Sequence, residues 1–254
     1  MALPLPGTPH EPDGGAGETY GAALVRTTGP VARDDVVDAL RSLRFTGWIA
    51  EPEGGWIAAI AEPGAGVVAA GRRGVIEVAA ALAARFDVTV FALRVRRDRQ
   101  LVVAAWTGRD ELGRYSSDPS SEPGAGEEVL GEPYGAEHAE AFAAAAGRPD
   151  AAEELAEVLD EELDSDSVFE SERLARVLAL LGMPRWLVAA AALPRDIPTG
   201  PRRRELVRLG AGSPGVLGRV RGRTAASVRR RMAPPPAIPD PPRGGDFGID
   251  PWLL

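Results

Sequence analysis

Apolar residues first recur at helical spacing where Val36, Val37, Leu40 and Leu43 follow Asp34, and the period predicts a helix there. Phe45-Thr46-Gly47 breaks that period. Three short apolar runs follow, around Trp48 and Ile49, over Trp56–Ala61 and over 67–70, separated by Gly54-Gly55 and Gly64-Ala65-Gly66. Short strands joined by glycine turns are the expectation. Val75, Val78, Leu82 and Phe86 return to one helical face. The period then changes to two. Val88, Val90, Phe91, Leu93 and Val95 predict a long strand, Arg97-Asp98-Arg99 its turn, residues 101–106 the returning strand and residues 112–115 a third. This is a β-meander with a helix on one face.

Beyond a polar loop rich in Ser, Pro, Gly and Glu the pattern is helical. Residues 137–146 form an Ala-rich helix. Asp150 caps a second, with Glu153 three residues on and Leu155, Val158, Leu159 and Leu163 as its apolar face. A third spans 167–181 with Val168, Leu174, Val177, Leu178 and Leu181 inward, and Gly182 stops it. Pro184 opens a fourth through Trp186 to Ala192. The expected fold is α+β: a small antiparallel sheet with packed helices, a helical C-terminal extension and disordered tails. Its parts are a flexible arm (1–32), a sheet domain (33–116), a polar loop (117–136), a helical extension packed on the sheet (137–200) and an Arg/Pro-rich tail (201–254).

The element order over about 34–146 is similar to the roadblock and longin class of small scaffolds, which implies binding to other proteins. The stretch VTVFALRVRRDRQLVVAAWTGRDELGRYSSDP (88–119), with FESERLARVLALLGMP (169–184), resembles families of high-GC, actinobacterial-looking proteins without assigned activity. Neither resemblance carries a catalytic residue with it.

Composition narrows the chemistry. The chain has no Cys, no Lys and no Asn, so its 29 basic residues are all Arg, and His occurs only at His10 and His138. A Walker A loop and a Schiff base need Lys, while thiol hydrolases, disulfide scaffolds and Cys-rich zinc sites need sulfur. All are excluded. Missing Lys and Asn beside 30 Gly and 23 Pro is the imprint of a GC-rich bacterial genome. No basic leader opens the chain and no apolar run is long enough to span a bilayer, so the expected compartment is the cytoplasm. No cofactor or metal is expected.

Six motifs suggest chemistry. Gly64-Ala-Gly66-Val-Val-Ala69 fits the dinucleotide fingerprint, but β-prone residues and two further glycines stand where its helix should open, which favours a hairpin loop. Gly124-Ala-Gly126 has no strand before it. Asp164-Ser-Asp166-Ser167 has the carboxylate spacing of a phosphatase or calcium loop but follows an acidic helix, where a helix cap is the simpler role. Ser116, Ser117, Asp118 and His138 supply the residue types of a nucleophilic triad without a spacing that enforces one. Residues 211–215 and Asp246-Phe247-Gly248 imitate a hydrolase elbow and a kinase triplet without their contexts.

Charge points to contacts instead. From 201 on there are eleven Arg against four acids, or +7, which leaves 18 against 33, or −15, for residues 1–200. Arg202, Arg203, Arg204 and Arg208 precede Arg219, Arg221, Arg223, Arg229, Arg230 and Arg231, with Val216, Val220, Thr224, Val228 and Met232 recurring every four. An anionic membrane or a nucleic acid would suit such a segment. The chain ends in Phe247, Ile249, Trp252, Leu253 and Leu254 after a Pro-rich linker, a motif that would fill a groove on another protein, the favoured reading, or one on this protein. The expected function is therefore a non-catalytic, protein-binding or regulatory module. The alternative is an immunity-type inhibitor whose acidic face, 153–162, neutralises a basic toxin, and a Ser- or carboxylate-dependent enzyme stands third.

Overall fold

In the computed structural model, which describes residues 19–27, 31–121, 131–161 and 169–210, seven strands form one antiparallel sheet. They are β1 (Tyr20–Arg26), β2 (Gly47–Ile49), β3 (Trp56–Ala61), β4 (Thr89–Arg96), β5 (Gln100–Thr107), β6 (Asp110–Ser116) and β7 (Val207–Leu209). Their spatial order is β6-β5-β4-β1-β3-β2-β7. Helices α1 (Arg33–Ser42) and α2 (Val75–Phe86) cover one face, and α3 (Ala139–Ala146), α4 (Ala152–Asp160), α5 (Glu170–Leu180) and a 3-10 stretch (Arg185–Ala192) cover the other.

Burial on both faces explains the strand sequences. Ala23, Val25, Val90, Ala92, Val102 and Ala104 pack toward α1 and α2, while Ala22, Leu24, Phe91, Leu93, Val103 and Ala105 pack toward α3 to α5. A strand sandwiched in this way carries no polar alternation and reads as a continuous apolar run. The side toward α3 to α5 is the more aromatic: the Phe91 ring meets Trp56 edge-on at 5.7 Å and Phe142 at 5.9 Å.

The α+β expectation, the meander and both predicted helices of the first half are present as expected. Four details differ. The expected arm of residues 1–32 contains a central strand, Tyr20–Arg26, paired with β3 and β4. Its seven residues, YGAALVR, show no alternation and stand within a Gly- and Thr-rich context, so the period carries no signal. Residues 67–70 form no strand; Ala69 makes a single bridge to Arg73 and the turn runs into α2. The basic tail begins with a strand, β7, on the edge of the sheet beside β2. Asp150 lies in a 3-10 turn and the N-cap of α4 is Ala151, with no side chain capping it.

Helix α5 opens at Glu170, after Phe169, and the fourth helix is 3-10 with a non-helical Ala189. Among the described residues no helix is long and apolar enough to cross a membrane.

Candidate functional site

Strand β4 runs out in Leu93-Arg94-Val95-Arg96. Val95 is buried toward α3 to α5, so Arg94 and Arg96 share the α1/α2 face with Ala92 and Val90. On the neighbouring strand Gly21 sits opposite Arg94. A Cβ at Gly21 would lie 2.9 Å from the Leu93 carbonyl oxygen and 3.0 Å from Val75 Cγ1. The absent side chain is what lets the first turn of α2 close against the sheet. That turn has Gly74 as its N-cap, which brings no side chain to the first N–H groups, while Glu77 Oε2 accepts the Gly74 N–H at 2.8 Å. Gly64 and Gly66 complete the wall, with the Gly64 N–H donating to the Thr19 carbonyl at 2.8 Å.

These walls enclose a cleft of about 360 Å³ into which Arg94, Arg96 and Arg97 all contribute, against Glu77 as its one acidic lining residue. Arg94 and Arg96 also make contacts of their own within the chain. Arg97 and Asp98, the two central residues of the β4–β5 turn, both have φ 53°, and the Arg99 N–H closes the turn on the Arg96 carbonyl at 3.0 Å. Left-handed geometry at both positions matches the twist of a tight hairpin but suits glycine better than arginine or aspartate. Asp98 has a structural reason to be there. Its Oδ1 accepts the Ser171 N–H at 2.8 Å, its Oδ2 accepts the Ser171 hydroxyl at 3.1 Å and its carbonyl accepts the Glu170 N–H at 3.1 Å, so it caps α5. Arg97 gives its N–H to Thr19 Oγ1 at 3.0 Å and its exposed side chain to the cleft.

Comparison with family models, curated proteins and solved structures finds no match to this chain. The geometry therefore carries the functional argument alone.

A second polar cluster lies on the other side of the same turn. The Arg173 side chain is 2% exposed and donates to the Tyr115 hydroxyl, to the Leu159 carbonyl at 3.0 Å and to the Glu161 carbonyl at 2.7 Å, closing the C-terminal end of α4. Its Nε stands 3.3 Å from Glu170 Oε2. Burial pushes the Glu170 carboxyl above its ordinary value, with the Arg173 charge and a hydrogen bond from Ser117 opposing. Burial also pushes the Tyr115 phenol well above its ordinary value, so it stays neutral. With both charges buried, and with carbonyl and phenol partners on three sides, this cluster fastens α4 and α5 to the sheet.

The structure separates the triad residues. Ser116 and Ser117 are buried, and the Ser117 hydroxyl accepts the Leu101 N–H at 2.9 Å. His138 is half-exposed and packs on Gly113 and, at 6.1 Å, on Phe142. Gly113 and Ser117 are about 13 Å apart along an extended chain. The acidic run of α4 is solvated, with Glu153, Glu154, Glu157 and Asp160 exposed. Arg202, Arg203 and Arg204 are exposed, and Arg208 lies 5.4 Å over the Trp48 ring and 3.8 Å from Glu62.

The remaining candidates lie outside the described residues: Gly124 to Gly126, Asp164 to Ser167, the hydrolase and kinase look-alikes, Arg219, Arg221, Arg223, Arg229, Arg230 and Arg231, and the terminal Phe247, Ile249, Trp252, Leu253 and Leu254. Of the sequence motifs, the glycines of the dinucleotide fingerprint do line the cleft, although no helix opens at Gly66. The arginines of β4 escaped sequence reasoning. Their signal was present as LRVRR: charge at alternate positions marks where one face of a doubly covered strand is no longer under a helix.

Proposed function

We propose that the protein is a non-catalytic binding module that recognises an anionic group in the cleft at the end of β4. One observation supports this most: Arg94, Arg96 and Arg97 line the same concave volume as the first turn of α2 and the glycines Gly64 and Gly66, against Glu77 as the one acid. Arginine offers planar forks of donors that suit carboxylate and phosphate oxygens, and a concave site strengthens each bond by excluding water. At about 360 Å³ the volume suits a small molecule or one group of a larger one. In this reading the terminal segment from Phe247 to Leu254 is where a partner protein docks, and co-purification with and without residues 246–254 tests that part.

Calorimetric titration of the full chain with succinate and with inorganic phosphate tests the cleft. Saturable binding of either anion, weakened at least tenfold in Arg97→Ala, is the expected outcome. Equal binding by wild type and variant places the anion elsewhere and ends the proposal.

The exposed acids of α4 favour a second reading, neutralisation of a basic protein. Reversing Glu153, Glu154 and Glu157 to Arg would abolish that interaction and leave anion binding intact.

A further inference from the structure

We propose that the turn leading into β7 docks a short acidic segment of a partner protein on Arg202, Arg203 and Arg204. This surface shares no lining residue with the cleft at the end of β4. The three arginines border a shallow hollow of about 520 Å³ together with Asp196. Residues 1–200 are acidic as a whole, yet the twelve residues from Pro194 to Glu205 carry four Arg against two acids, or +2.

Both acids of this segment are turned to its main chain. Asp196 Oδ1 accepts the Arg203 N–H at 2.8 Å, and Glu205 Oε2 accepts the Arg202 N–H at 2.9 Å, which caps the 3-10 turn of Arg203–Glu205. Among the described residues no carboxylate pairs with the Arg202 or Arg203 guanidinium, and Arg204 Nε comes only within 4.0 Å of Glu205 Oε1. Packing holds the backbone in place. Ile197 and Leu206 are buried, and a Cβ at Gly200 would lie 2.7 Å from Trp186 Cβ. The guanidinium groups are therefore presented from an ordered turn, which lowers the ordering cost of binding.

Neighbouring charge decides which polyanion fits. Across Pro201 lies a second hollow, of about 330 Å³, lined by Glu51, Glu53 and Glu205 beside Trp186. Arg33 pairs with Glu51 at 2.7 Å, but the partner of Glu53 is a neutral donor, the Trp186 Nε1–H at 2.8 Å, so that carboxylate keeps its charge. A DNA duplex or an anionic bilayer is broader than the arginine hollow and would lay further negative charge against these acids. A peptide segment with a few carboxylates covers Arg202–Arg204 alone, and the planar forks of arginine suit carboxylate oxygens.

The test titrates the ¹⁵N-labelled full chain, at constant ionic strength, with a capped hexaglutamate peptide and with a short DNA duplex while amide resonances are followed. Binding to vesicles of phosphatidylcholine and phosphatidylglycerol in equal parts is read by co-sedimentation. Saturable shifts are expected at the amides of Arg202, Arg203 and Arg204 with the peptide, fading as salt is raised. The double variant Arg202→Gln/Arg203→Gln retains the main-chain N–H groups that Glu205 and Asp196 accept, and should bind the peptide at least fivefold more weakly with an unchanged urea midpoint. Its affinity for duplex and vesicles should stay within twofold of wild type. Substitutions that weaken duplex or vesicle binding as much as peptide binding would overturn the peptide assignment, because the turn would then read any polyanion. Equal peptide binding by wild type and variant, peptide shifts confined to residues after Gly210, or no saturable shift with the peptide would overturn the proposal.

Discussion

The β4–β5 turn stands between two arginine clusters that face opposite sides of the sheet. On the side of α3 to α5, Arg173 is enclosed by a phenol, two main-chain carbonyls and a carboxylate, and its side chain is 2% exposed. On the side of α1 and α2, Arg94 and Arg96 are half-buried, Arg97 is exposed, and all three border an open volume. The difference teaches that enclosure distinguishes a charge that fastens elements together from one left bordering open space. A guanidinium whose protein partners enclose it holds elements together. In the proposed function, the guanidinium groups that border the open volume beside Gly64 and Gly66 are the surface offered to an anion.

The largest effect should come from the closed cluster. Replacing Arg173 with Met leaves the Glu170 carboxylate buried beside no cation and frees the end of α4, and loss of one partner of a buried pair costs about 3–5 kcal/mol. Urea unfolding should show that loss. On the open side Arg97→Ala should cost at least tenfold in anion affinity, about 1.4 kcal/mol, with a much smaller change in unfolding. The shared turn permits a third, intermediate test. Asp98→Ala removes the cap of α5 and should cost about 1 kcal/mol of stability, read in the same urea experiment.

The smallest effect is a pH dependence. Burial holds the Glu170 carboxyl above its ordinary value, so the folded chain keeps this proton longer than the unfolded chain does. Both states hold it at the acid extreme. As pH rises through the ordinary carboxylate range the unfolded state ionises first, and the group withdraws stability until the folded value is passed. The unfolding free energy of Glu170→Gln should therefore gain on that of wild type as pH rises above about 4. A constant difference across that range would mean that Arg173 compensates the burial completely.

Much of the fold was legible because its elements have distinct periods. Val75, Val78 and Leu82 could only form one helical face, and β3 was read to the residue as Trp56–Ala61. Strands β1 and β7 were missed for different reasons. Tyr20–Arg26 is buried on both sides and lacks alternation, and Val207–Leu209 is three residues long within a basic stretch. The site was less legible than the fold. Arg94 and Arg96 follow from β4, but their meeting with Gly64 and with Gly74 depends on β1 lying between β3 and β4, a long-range pairing that no local pattern records. The Arg173 cluster is of the same kind, joining the end of β6 to two helices far along the chain.

Arg97→Gly separates the two clusters most directly, because glycine relieves the left-handed backbone while removing the arm from the cleft. Wild type and variant should be titrated with succinate and with inorganic phosphate in one calorimetric series and unfolded in urea in another. The account predicts a variant as stable as wild type or more so, by up to about 1 kcal/mol, that binds at least tenfold more weakly. A variant that binds as tightly as wild type, or a wild type that releases no heat beyond dilution, would contradict it.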